Sequence, residues 1–153
     1  MANSYLTCLH HFVWSTKNRE PLIRQEWETE LWKYLAGIAR NLDGLPLQIG
    51  GVEDHVHLLI ERPSKMVESE VANKLKSNSS KWLNEQGLVR GRFGWQDGFA
   101  AVTVSPSQLG RVKEYIQHQR KRHATLTFEE EYRLFVEKNR AQGNDADLVY
   151  LLG

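Results

Sequence analysis

Cysteine is almost absent from this chain. Cys8 stands alone among 153 residues, so no intrachain disulfide can form, which fits a reducing cytoplasm. Long apolar runs are missing as well. None reaches the ~18 residues of a bilayer-crossing helix, so no membrane span is expected. The start, Met1-Ala2-Asn3-Ser4-Tyr5, lacks a basic region followed by an apolar one, and no signal peptide is expected. Charge of one sign is not in excess. The formal net charge of +1 excludes a bulk-basic nucleic-acid binder and leaves room for a local basic patch. Internal repeats and low-complexity tracts are also absent. What remains is 41% hydrophobic content, enough for one compact domain with a sizeable core.

The most informative stretch is Asp54-His55-Val56-His57, running on into Leu58-Leu59-Ile60. The flanking Val, Leu and Ile predict a strand, whose side chains alternate faces with period two. His55 and His57 then point one way, and Val56, Leu58 and Ile60 the other. Two imidazoles on one strand face are placed to hold a divalent metal from one side. The pair alone identifies no function, because most histidines are core or surface residues.

Taken in order, Tyr5 to Ser15 is rich in β-branched and aromatic types and predicts a first strand. His10 and His11 are adjacent, face opposite sides and are left outside any site. A polar, basic turn through Thr16-Lys17-Asn18-Arg19 and Pro21 leads to a helix from about Arg24 to Leu42. Its stripe is Trp27, Leu31, Leu35, Ile38 and Leu42, ended by Asp43-Gly44. Leu45 to Val52 is a second strand, with Gly50-Gly51 marking a bulge or close backbone approach. The histidine strand ends at Arg62-Pro63-Ser64. Ser64 is the expected N-cap of a second helix reaching about Asn84. On that helix Lys74, Ser77, Asn78 and Lys81 form one polar, positive face, which could equally be a solvated surface. Gly87 to Gly98 is a glycine-rich loop and Phe99 to Val104 a fourth strand. Ser105-Pro106-Ser107-Gln108 reads as a capping box opening a third helix to about Ala124. A second box, Thr127-Phe128-Glu129-Glu130, opens a fourth helix to about Ala141, ended by Gly143. Leu148, Tyr150 and Leu151 in the tail are expected to pack on the body or on a partner chain.

The order is βαββαβ followed by two helices, a ferredoxin-like α+β arrangement with additional C-terminal helices. There the helices cover one face of an antiparallel sheet and leave the other open. The central third strand would present His55 and His57 on the open face. Tyr115 and Gln119, four apart, share one face of the third helix, flanked by Arg111 and Arg122. A tyrosine beside an apolar stripe is more often a core-edge residue, and a basic helix end also suits the helix dipole. The combination is what counts. Two histidines, a tyrosine and an amide can converge on one face ringed by positive charge.

These residues resemble a known family. His55-Val56-His57 looks like the His-hydrophobe-His signature of the HUH endonucleases, and Tyr115-Ile116-Gln117-His118-Gln119 like the Tyr-x-x-x-Gln helix of their single-tyrosine transposases. These are the small transposases of insertion sequences, with relatives linked to repetitive palindromic elements. Phe12 to Arg19, Val52 to Leu59 and Lys74 to Leu83 are similar to that family too. The likeness spans roughly Tyr5 to His123. It implies a catalytic domain over 1–126, with 127–153 a C-terminal helix and tail. It implies that His55, His57 and Gln119 hold Mg²⁺ or Mn²⁺, and that Tyr115 attacks the scissile phosphate to leave a 5′-phosphotyrosine link and a free 3′-OH. The implied partner is single-stranded DNA beside a hairpin, contacted by Lys17, Arg19, Lys74, Lys81, Arg111 and Arg122, with Phe93 and Trp95 available to stack on unpaired bases. A homodimer is implied as well, with Tyr115 serving the metal site of its own chain or of the other.

Three other readings compete. An RNA-recognition module shares the βαββαβ arrangement but needs aromatic residues on its central strands, where this chain has histidines. A metallohydrolase or histidine-triad nucleotide hydrolase would carry a further His at the next alternate position, and here that is Leu59. A non-catalytic DNA-binding relative would not need Tyr115, His55, His57 and Gln119 together.

Overall fold

The computed structural model describes residues 5–139. The elements are β1 (Leu9–Ser15), α1 (Glu28–Asn41), β2 (Leu45–Val52), β3 (His55–Glu61), α2 (Glu68–Gln86), β4 (Ala100–Thr103), α3 (Leu109–Gln117), α4 (Gln119–Arg122) and α5 (Phe128–Asn139). Short 3-10 turns lie at Lys17–Arg19 and Pro106–Gln108. The sheet runs β2-β3-β1-β4 with every pairing antiparallel. This is the expected ferredoxin-like order, with β3 and β1 central.

Alternation along β3 and β1 divides the molecule into two layers. Val56, Leu58 and Ile60, with Phe12 and Trp14, pack against Leu31, Leu35 and Ile38 of α1 and Val71, Leu75 and Leu83 of α2. Burying each such side chain contributes about 1.5–3 kcal/mol. A one-residue slip of β3 would send these groups out and the histidines in, so the apolar face locks the register that positions the site.

The other face is not open, contrary to the expectation from the sequence. Leu9 and Leu59 are buried beneath Val104 and Ile116. Val13 and Ala100 are buried beneath Phe128, Tyr132, Phe135 and Val136. Those four residues make a helical stripe on α5, and the uncovered sheet face is where it can be buried.

Several boundaries also move. Ordered pairing of β1 starts at Leu9, and Tyr5 and Leu6 stay exposed. Helix α1 begins at Glu28, after Trp27. Helix α2 begins at Glu68 behind Val67, so Ser64 is not its cap. The Ser105 hydroxyl accepts from the Ser107 amide at 3.4 Å, which makes a 3-10 turn instead of a capping box with Gln108. The third helix is not continuous to Ala124 but breaks at His118 (φ −104°, ψ 28°). The Thr127 start does form, with the Glu130 amide donating to the Thr127 hydroxyl at 3.2 Å. The expected helix end at Ala141, Gly143 and the tail residues Leu148, Tyr150 and Leu151 lie outside the described residues.

Gly50-Gly51 is a close approach. A Cβ on Gly50 would lie 2.8 Å from the Ile116 carbonyl oxygen of α3, and one on Gly51 2.2 Å from the His55 carbonyl oxygen. The β2–β3 irregularity falls earlier, between Pro46 and Gln48. Gly50→Ala is expected to destabilise the fold by about 1–3 kcal/mol, as overpacking does. A urea midpoint equal to wild type would show that α3 does not press on β2 as described.

Candidate active site

The alternation of β3 aims His55 and His57 at α3, α4 and α5, and both are fully buried. Asp54, in the turn before the strand, accepts from His55 Nδ1–H at 2.7 Å. That leaves the His55 Nε2 edge facing inward, where the Gln119 amide oxygen lies 2.9 Å away. Gln119 opens α4 just after the His118 break and is 1% exposed. The break does not separate it from Tyr115, because the Gln119 amide nitrogen stays 3.4 Å from the Tyr115 carbonyl oxygen. Arg120 pins α4 from outside, donating to Glu53 at 2.6 Å and Glu28 at 2.9 Å. Tyr115 is half-buried in the last turn of α3, its ring centroid 5.5 Å from that of His57. The structure therefore brings His55, His57, Gln119 and Tyr115 of one chain together.

Three residues that the sequence did not single out, Glu131, His123 and His11, complete the cluster. Glu131 of α5 is 1% exposed and lies at its centre. Its Oε1 is 3.0 Å from His57 Nε2, 3.3 Å from His55 Nε2 and 3.0 Å from His123 Nε2. Its Oε2 accepts from the Tyr115 hydroxyl and lies 3.5 Å from Arg122 Nε. His11, from β1, is buried with its Nε2 at 2.8 Å from His57 Nδ1. Glu131 sits in an acidic helix start, where Glu129 to Glu131 suits the helix dipole, so nothing in the sequence marked it out. His11 did carry a signal, since β1 is central and its site-facing positions are Leu9, His11 and Val13.

The charges follow from burial and partners. Burial opposes a charge on His55, but hydrogen bonds to Asp54 and Glu131 outweigh it and hold the ring up at about 9. His57 is lowered to about 4, by burial first and by the neighbouring His55 and His123, despite Glu131. His11 is pushed well down by burial and by His57. Burial alone would raise Glu131, yet hydrogen bonds from His123, His55 and His57 hold it far below the usual carboxylate range. The Tyr115 phenol is raised by burial and by the Glu131 charge. Without a metal, a neutral His57 donates from Nε2 to Glu131 and accepts at Nδ1 from His11; with His11 as acceptor instead, the His57 proton sits on Nδ1 and the Nε2 lone pair is free to bind a metal.

The donor set fits a divalent metal. Ligand atoms of His55, His57 and Glu131 all lie within 4.8 Å of one another, with the Gln119 oxygen beside them. Nitrogen and oxygen donors without thiolate suit Mn²⁺, and the oxygens suit Mg²⁺.

The basic residues fall into three groups. Arg111 and Arg122 line a cleft of about 340 Å³ that reaches Tyr115 and Glu131, joined by Lys138. The Arg122 guanidinium lies 4.7 Å from the Tyr115 ring centroid. Lys17 and Arg19 line a second cleft of about 360 Å³ with Gln96 and Tyr132, and Arg19 pairs with Glu129 at 3.1 Å. Lys74 and Lys81 are exposed on α2, in the layer opposite the histidines. Phe93 and Trp95 do not offer themselves for base stacking. Both are buried in the α1–α2 layer, where Trp95 meets Trp14 edge to face at 6.0 Å and donates to Ser79. The loop is tied down instead by a bridge between Thr16 and Trp95.

The sheet order, the histidine pair on a central strand and the helix-borne tyrosine beside it agree with the resemblance to single-tyrosine transposases. The family model described as "Transposase IS200 like" matches residues 4–119, and the chain belongs to that family of DNA-processing enzymes. Transposases for insertion sequence element IS200 from Salmonella typhimurium (strain LT2) and Salmonella typhi are each 30% identical over 128 residues, covering 78% of this chain and 81% of theirs. The fold is shared with a solved transposase structure from Deinococcus radiodurans R1 (TM-score 0.61, 23% identity, 78% of this chain and 96% of that one). It is shared too with a REP-associated tyrosine transposase solved bound to a REP hairpin (TM-score 0.58, 13% identity, 82% and 74%).

Because His55 is raised to about 9 from 6.5, its stabilising contribution is complete below pH 6.5 and lost as pH rises through 9. His57, lowered to about 4, resists protonation, so stability also declines as pH falls below 6.5. Thermal melts in EDTA are expected to peak near that pH, with His55→Gln flattening the alkaline limb. A melting temperature that climbs between pH 6.5 and 9 would contradict this charge assignment.

Proposed function

We propose that the protein cuts and rejoins single-stranded DNA beside a hairpin, with Tyr115 as nucleophile. The Tyr115 oxygen forms the new bond to phosphorus while the bond from phosphorus to the 3′ oxygen breaks. The phenol loses its proton, the 3′ oxygen gains one, and a 5′-phosphotyrosine remains. That link keeps the ester energy, so a second 3′-OH can reverse the attack and join strands without another energy source. The observation that carries this reading is the meeting of Tyr115, His55, His57 and Gln119 in one buried cluster, with a cation-lined cleft leading to the tyrosine.

Held by His55, His57 and Gln119, a divalent ion (Mg²⁺ or Mn²⁺) would polarise the scissile phosphate, a Lewis-acid effect worth several kcal/mol. An ordinary phenol already costs about 4 kcal/mol to ionise at pH 7, and burial beside Glu131 adds to that. Arg122 over the ring opposes it, and with Arg111 it would neutralise a phosphate entering the cleft. Lys17 and Arg19 would take flanking phosphates, and Lys74 and Lys81 those of DNA running past the opposite layer, contacts that make affinity salt-dependent. A homodimer acting in the cytoplasm belongs to the same proposal. No residue need be borrowed from the second copy, because the tyrosine and histidines already meet within one.

The test is a covalent-adduct assay on labelled single-stranded DNA from the flanking hairpins, with Mn²⁺ or Mg²⁺, resolved on a denaturing gel. A shifted band is expected from wild type and none above background from Tyr115→Phe, from His57→Ala or in EDTA. Binding without adduct on true element ends would favour a DNA-binding relative. Cleavage that survives Tyr115→Phe would mean that water is the nucleophile.

A further inference from the structure

Glu131 has no part in the mechanism just described, yet it touches more of the cluster than any other residue. Its two oxygens face different groups. Oε1 lies 3.0 Å from His57 Nε2 and 3.3 Å from His55 Nε2, while Oε2 accepts from Tyr115. The other ring nitrogens of the two histidines are already engaged, His55 Nδ1 by Asp54 and His57 Nδ1 by His11. That leaves Nε2 of each of these two histidines to face a metal, and both converge on Glu131 Oε1, which His123 Nε2 also meets at 3.0 Å from the outer side of the cluster.

We infer that Glu131 is an anionic ligand of the metal, through Oε1, and at the same time the tether that holds Tyr115 beside it, through Oε2. The inference rests on the metal-site reading above and adds a carboxylate from α5 to two imidazoles and an amide. Four protein donors, from β3, α4 and α5, would hold the ion from one side. The added negative charge lowers the net charge of the loaded site from +2 to +1, which tightens ion binding. Two nitrogens and two oxygens also favour Mn²⁺ over Mg²⁺, which is bound mainly through oxygen. Because the carboxylate rides on α5, metal binding and the docking of this helix are coupled. The family match ends at residue 119, so this ligand lies outside the segment shared with the family model.

Two readouts on the metal-stripped full chain test this, neither of them catalytic. Isothermal titration with Mn²⁺ is expected to give a Kd at least tenfold weaker for Glu131→Gln than for wild type. His57→Ala should abolish binding, and His123→Ala, which loses a partner of Glu131 but no ligand, should change it less than threefold. Hydrogen exchange of the α5 amides is expected to slow on adding Mn²⁺ to wild type, a measurement that holds even if a variant folds poorly. Equal Kd values for wild type and Glu131→Gln, or α5 exchange indifferent to Mn²⁺ in a wild type that binds it, would make Glu131 a structural anchor only. Failure of wild type to bind Mn²⁺ at all would overturn this inference and the metal reading beneath it.

Discussion

A carboxylate withdrawn from water has to be surrounded by donors, and the Glu131 carboxylate fixes where several elements can go. Removing one partner of a buried ion pair costs about 3–5 kcal/mol. Three imidazoles and a phenol meet this carboxylate, and they come from β3, α3 and the segment after α4. Shifting any of these elements would strand the charge. The apolar stripe of α5 sets the other side of the comparison. Four buried side chains at about 1.5–3 kcal/mol each outweigh the ionic contribution. Apolar packing thus decides that α5 docks, and the carboxylate decides in which rotation and depth it does so.

The same division explains how much could be read without coordinates. Element order, the sheet arrangement and the facing of His55 and His57 follow from period-two and helical patterns, which are local. The Tyr115–Gln119 pairing follows from helical spacing and survived a break at His118, because a single irregular residue left the two side chains on the same side. Glu131 was invisible for a physical reason. An acidic residue in a helix's first turn is accounted for by the dipole and the cap, and only tertiary docking separates it from Glu129 and Glu130, which remain exposed. Phe93 and Trp95 misled in the opposite direction. Aromatic side chains among glycines resemble a binding loop, but a Thr16–Trp95 bridge folds them into the core.

His11 shows why adjacency alone was a poor guide. Neighbouring strand residues face opposite layers, so His10 and His11 cannot act together, but each can act with something else. His10 turns to Glu68 of α2 at 3.0 Å, and His11 turns to His57. An imidazole whose lone pair must stay available needs a partner on its other nitrogen, and such partners orient metal-binding histidines. Asp54 and His11 do this for the two histidines from different elements, one by a charged acceptor and one by a neutral ring.

Strand β3 has a consequence for how defects in this protein would be inherited. From His55 to Leu58 its residues alternate between the site and the α1–α2 core, and Leu59 returns the site side to apolar packing. Damage at Val56, Leu58 or Ile60 empties the packed layer, and the chain would be lost to degradation before it met DNA. Damage at His55 or His57 leaves that layer packed and takes a partner from Glu131 instead, so a weakened copy would persist without its site. Neighbouring codons from 55 to 58 would thus yield copies that lose the fold and copies that lose the site, in alternation.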